Sequence, residues 1–185
     1  MATLYEYYNT GDDTGTYFFG DRRGAQTFTP QTAHKITSVK LKLYRSGSPG
    51  TVFVSIKAVD VDGHPTGDDL CSGTTDGSTL PTGPPYEWRE ITLGDGYNLL
   101  VDTKYAVVIY AGPGDLTKCV RWRMSNEAGY ANGARETSHD AGETWNTDTT
   151  VDLMFEEWGE AIAAPPGLEN KSANMAAKMV AAGLI

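Results

Sequence analysis

The chain has 185 residues, 39% of them hydrophobic and 21% charged, with a net charge of −9. That is ample for one domain with a sizeable core, and a field of that sign argues against nucleic-acid phosphates as partners. No apolar run reaches the length needed to span a bilayer, and Met1–Tyr8 lacks the basic and apolar regions of a secretory signal. The chain is therefore expected to be made in a cytoplasm and to stay there, or to leave by a route such as release of virus particles.

In chain order, residues 1–23 read as an N-terminal arm. Tyr5, Tyr7 and Tyr8 supply aromatic surface for the domain or for a partner, and the polar run 9–15 interrupts it. Residues 24–30 form a short strand stopped by Pro30. Lys35–Asp60 then organises the domain. Val39, Leu41 and Leu43 alternate with Lys40, Lys42 and Tyr44, and Val52, Val54, Ile56 and Ala58 alternate with Phe53, Ser55, Lys57 and Val59. Period two means one buried and one wet face, and the Gly-, Ser- and Pro-rich link between the runs is turn chemistry. Two antiparallel strands against a core follow.

The stretch Asp60–Leu70 reads as a loop. Its carboxylates, Asp60, Asp62 and Asp68, make it a candidate calcium site, because a hard cation needs several oxygens. The spacing is not that of an EF-hand, and the competing reading is that these aspartates cap turns through their own backbone. Cys71 and Cys119 fall in separate strand-like runs; small buried thiols are the plain reading and a disulfide between them the alternative.

Further strands are expected at Leu70–Thr75, Tyr86–Leu93, Tyr105–Tyr110, Lys118–Ser125 and Val151–Trp158, with Gly94-Asp95-Gly96 as a turn. Roughly nine strands at short spacing, with no helix before residue 160, favour an all-β, two-sheet antiparallel sandwich over residues 24–159. Residues 160–185 divide into a Pro-Pro-Gly linker and a short helix. Met175, Met179, Val180 and Leu184 lie on its apolar side and are the expected assembly contacts, since so short a helix needs a surface to dock on.

Ser138-His139-Asp140-Ala141-Gly142-Glu143-Thr144-Trp145 resembles the Asp-box, a hairpin motif of sialidases and other carbohydrate-active proteins. Asp140 is suited to accept turn amides, Gly142 to take positive φ and Trp145 to pack across the hairpin. A single box is a structural element. His34, His64 and His139 each sit in a loop-like setting and read as surface residues. No catalytic motif or carboxylate pair is evident, so no enzyme is expected. Aromatic faces beside planar polar groups suit a sugar ring. Trp145, Tyr130, Arg121 and Arg123 are the candidate glycan contacts, while Trp88 and Trp122 read as core.

The stretches 25–30, 62–67, 120–123, 129–133 and 152–159, with the Asp-box-like hairpin, resemble a family of jelly-roll domains found in tailed-phage structural proteins and in bacterial surface proteins of the choice-of-anchor type. The resemblance implies a jelly-roll sandwich similar to carbohydrate-binding modules and does not cover the tail. On it rest two functional expectations. The first is a virion structural protein, a capsid decoration or fibre component joined to other virion proteins or to copies of itself through its termini. The second is a glycan-binding module for cell-surface or mucus adhesion.

Overall fold

A computed structural model describes residues 1–162. Its strands in chain order are β1 (Thr3–Tyr8), β2 (Thr14–Phe18), β3 (Arg23–Phe28), β4 (His34–Ser46), β5 (Thr51–Val59), β6 (Pro65–Asp76), β7 (Glu87–Leu99), β8 (Tyr105–Ala111), β9 (Cys119–Met124), β10 (Arg135–Ser138), β11 (Asn146–Asp148) and β12 (Phe155–Ala161). One short 3-10 turn, Gly77–Thr79, is the helical element among the described residues.

The strands form two six-stranded antiparallel sheets. In the first, the long β4 carries β7 along one side, and β12 followed by β9 along the other; β1 flanks β12 and β2 flanks β9. The second runs β11-β10-β3-β8-β5-β6. The inward faces meet in one core. Leu41 and Leu43 of β4, Ile56 of β5, Ile91 and Leu93 of β7, Ile109 of β8 and Trp122 of β9 are all fully enclosed. Each such side chain contributes ~1.5–3 kcal/mol on leaving water. Trp122 keeps its polar end satisfied by donating from Nε1 to the Met154 carbonyl at 2.7 Å.

Several expectations are corrected. The N-terminal segment is not a free arm. β1 pairs with β12 and β2 with β9, with Phe18 and Tyr8 in the core. The Gly94-Asp95-Gly96 turn lies inside β7, where the register against β4 shifts between Ile36 and Ser38. Gly96 takes φ +73 there, and a Cβ on it would meet the Ile36 carbonyl oxygen at 2.2 Å. The loop at 60–70 is shorter than expected: β6 begins at Pro65, where Pro65 and Thr66 pair with Val59 and Ala58, and the exposed stretch after Thr66 bulges before pairing resumes at Cys71. Trp88 is not core. It shares the outward face of β7 with Glu90, beside Lys42 of β4.

Cys119 is enclosed and Cys71 half-buried, and both are free thiols. Burial, with Asp69 nearby, pushes the Cys71 thiol up to about 12. No helix of the described residues is long and apolar enough to cross a membrane. The expected tail helix, with Met175, Met179, Val180 and Leu184, lies outside the described residues.

Candidate functional site

The outward face of the second sheet is unusual in what it lacks. Where β3 and β8 cross its centre, the outward residues are Ala25, Ala106 and Val108, all small and all covered. Two loops rise over this floor and leave a cleft of about 550 Å³ between them.

One wall is the β10–β11 hairpin. Ser138 Oγ donates to Asp140 Oδ1 at 2.7 Å and accepts from the Gly142 amide at 2.8 Å. The Asp140 carboxylate also accepts from the Thr144 amide at 2.9 Å and from its hydroxyl at 2.5 Å. These donors, Thr144 foremost, hold the Asp140 carboxyl down to about 2. The loop turns through Ala141 and Gly142, both at positive φ (+60 and +91). The Ala141 amide ties it to the Asp21 carbonyl at 2.9 Å. The result is that Trp145 lies on the small-residue floor, at the lip of the cleft. Asp140 accepts the turn donors and Gly142 takes positive φ, as the pattern suggested, while Trp145 packs on the sheet floor and not only across its own hairpin.

The facing wall is the β5–β6 turn. Asp60 Oδ1 accepts from the Asp62 amide at 3.0 Å and the His64 amide at 2.9 Å, and these bonds, His64 first, keep its carboxyl below the usual range. That is the turn-capping role. Asp62 and Asp68 are exposed and no group of three or more His, Cys, Asp or Glu among the described residues is arranged to hold a metal ion. His64 is braced from below: its Nδ1 lies 3.0 Å from Glu136 Oε2, and Glu136, almost wholly buried, accepts from Thr147 Oγ1 at 2.7 Å. Lys57 reaches over to β6, donating to the Gly67 carbonyl at 2.7 Å and pairing with Asp69 Oδ1 at 3.0 Å.

The cleft runs on along the same sheet face. Arg23 lines it and stacks its guanidinium 4.6 Å from the centre of the Tyr110 ring. Tyr110 stacks on Phe53, centroids 4.8 Å apart and planes 7° from parallel. Together they floor a second hollow of about 230 Å³ edged by Ser55, Asp69 and Thr74. Trp145, Arg23, Tyr110 and Phe53 therefore place aromatic and polar side chains along one surface. Trp145 Nε1 and Arg23 Nε are buried without a hydrogen-bond partner.

The four residues expected to meet a glycan are not brought together. Only Trp145 is here. Arg121 and Arg123 lie on the outward face of the first sheet, in a ladder of cation–π contacts with Tyr17, Tyr44 and Tyr86. Tyr130 packs edge-on against Phe155, centroids 5.2 Å apart, and donates its hydroxyl to Glu6 at 2.8 Å. Arg23, Phe53 and Lys57 belong to no motif that would single them out, although Phe53 and Lys57 stand on the outward parity of an evident strand.

No protein-family model matches the chain, and no curated protein matches it. Among solved structures it superposes on the crystal structure of the cysteine protease and lectin-like domains of Cwp84, a surface layer associated protein of Clostridium difficile, with a TM-score of 0.52 and 12% identity. The likeness is one of fold. It covers 87% of this chain and 36% of that chain, so the domain matches about a third of the larger protein's solved length.

Proposed function

We propose that this domain is a glycan-binding module of jelly-roll type that holds a sugar chain across the outward face of its second sheet, without catalysis. The observation that carries the reading is the continuous surface of Trp145, Arg23, Tyr110 and Phe53 above a floor of small side chains. Sugar rings offer apolar C–H faces and a rim of hydroxyls. Trp145 and the Phe53–Tyr110 pair suit the former. Lys57, Thr66 and Glu143 around the cleft suit the latter. The Asp60 carboxylate is already spent on its own turn, which argues against a role as general acid.

A fold shared with a structure described as containing lectin-like domains supports this reading over the virion one. The virion reading drew on two fastening devices. One, the N-terminal segment, is committed to the first sheet, and the other lies outside the described residues.

The test is a glycan array probed with the intact chain and with Trp145→Ala and Tyr110→Ala. A defined set of glycans bound by the wild type, and about tenfold weaker binding (roughly 1.4 kcal/mol) for each variant, is the expected result. Binding that both substitutions leave unchanged would remove the cleft from consideration.

A further inference from the structure

A separate pocket, also about 230 Å³, opens on the rim of the sandwich where β2 of one sheet meets β10 of the other. Its lining includes three arginines, Arg22, Arg23 and Arg135, together with Thr137, Ser138 and His139. No carboxylate lines it, in a chain with 24 acidic and 15 basic residues. Arg22 and Arg23 make no ion pair among the described residues, and Arg135 meets Asp148 only at 3.4 Å. Arg23 Nε and Arg135 Nε are two of the three buried polar side-chain atoms without a partner. Arg22 is held at the mouth by stacking on Tyr17 and Phe19, and its Nη1 lies 3.5 Å from His139 Nε2. Burial, offset only in part by Asp148, holds Arg135 below the usual guanidinium value. A partly desolvated cation group of this kind gains most from a bidentate oxyanion.

Arg23 is common to this pocket and to the glycan cleft. We propose that the rim pocket is an oxyanion subsite, taking the carboxylate or sulfate ester of an acidic sugar whose neighbouring rings lie in the cleft. The assignment rests on the glycan-binding reading and narrows it to anionic glycans.

The test has two arms. In the first, inorganic sulfate is titrated into the intact chain while the arginine Nε–Hε signals are followed by NMR. Saturable shifts of Arg22, Arg23 and Arg135 are expected, weakened about tenfold by Arg22→Gln, as for loss of one charge-assisted hydrogen bond. Arg135→Gln serves as the second variant, with thermal denaturation as the folding control for both. In the second arm, oligogalacturonate, a sulfated galactan fragment and a neutral galacto-oligosaccharide are compared by calorimetry. Preference for the carboxylated or the sulfated sugar supports the proposal and identifies the anion. Absence of a saturable sulfate shift overturns it without touching the cleft reading. Equal binding of neutral and acidic sugars also overturns it, while the glycan reading stands. Sulfate binding with no binding of any sugar defeats both.

Discussion

His34 Nε2 lies 2.7 Å from Glu157 Oε1, and neither side chain is exposed to solvent. The ring is sandwiched: Tyr5 stacks on it with centroids 3.7 Å apart, and Nδ1 donates to the Thr32 carbonyl at 2.7 Å. Both ring nitrogens thus face acceptors, the arrangement that suits an imidazolium. Burial alone would depress His34, but the hydrogen bonds to Glu157 and Thr32 hold it above the ordinary imidazole value. Burial pushes the Glu157 carboxyl up, with His34 offsetting it in part.

Both raised groups have the same consequence for stability. A group whose pKa is higher folded than unfolded contributes fully below the unfolded value, and that contribution fades as pH rises through the folded one. For Glu157 the loss begins above the ordinary carboxylate range; for His34 it begins above about 6.5. The melting temperature is expected to fall as pH is raised from 6 to 9, and His34→Gln to flatten that fall. Glu157→Ala leaves a buried cation unpaired and should cost about 3–5 kcal/mol in urea unfolding at pH 6. An unaltered pH profile for His34→Gln would contradict this.

Asp152 ties three segments together. Its Oδ1 accepts from Gln26 Nε2 at 2.9 Å, and its Oδ2 from the Gly129 and Tyr130 amides, each at 2.9 Å. Gln26 Oε1 in turn accepts from the Leu153 amide at 2.8 Å. Asp152→Ala orphans three donors and is expected to cost about 3 kcal/mol or more. A double-mutant cycle with Gln26→Ala should show strong coupling, since either change breaks the same network. Additive losses would mean that the two residues act separately.

Asp140 makes a local prediction. Asp140→Ala releases the Thr144 amide and hydroxyl and loosens the seat of Trp145, so Trp145 resonances should broaden or shift while the first sheet is unchanged. Because the carboxyl is depressed, the wild-type hairpin keeps this support above the ordinary carboxylate value and loses it as pH falls through about 2. The Trp145 indole signal, followed from pH 5 to pH 2, should therefore move late. A shift complete by pH 4 would rule out the hydrogen-bonded hairpin as its cause.

Strand existence was legible where period two is clean, as in β4, β5 and β9, and in β8 through its continuous apolar run, the mark of a central strand. It was not legible in β1 and β2, whose polar break at 9–15 hides pairing with strands more than a hundred residues away, and in the polar edge strand β6 only the Leu70–Thr75 half was. Parity alone settles two further positions. Trp88 shares parity with Glu90 and Thr92 and so faces out. Glu157 shares parity with Leu153 and Phe155 and so faces in, which calls for a buried partner. That the partner is His34 is set by the register of β12 on β4, invisible in one dimension. The hairpin holding Trp145 was legible because its bonds are local. The cleft was not, because Arg23, Phe53, Lys57 and Tyr110 come from three strands that meet only through the order β3-β8-β5.

The most direct test of the central claim is an amide shift map of the intact chain with a glycan that it binds on the array. Shifts are expected along the second sheet's outward face, at Arg23, Phe53, Lys57, Thr66, Tyr110 and Trp145, with the face bearing Trp88, Arg121, Arg123 and Trp158 silent. Shifts centred on that other face, with the cleft silent, would contradict the account.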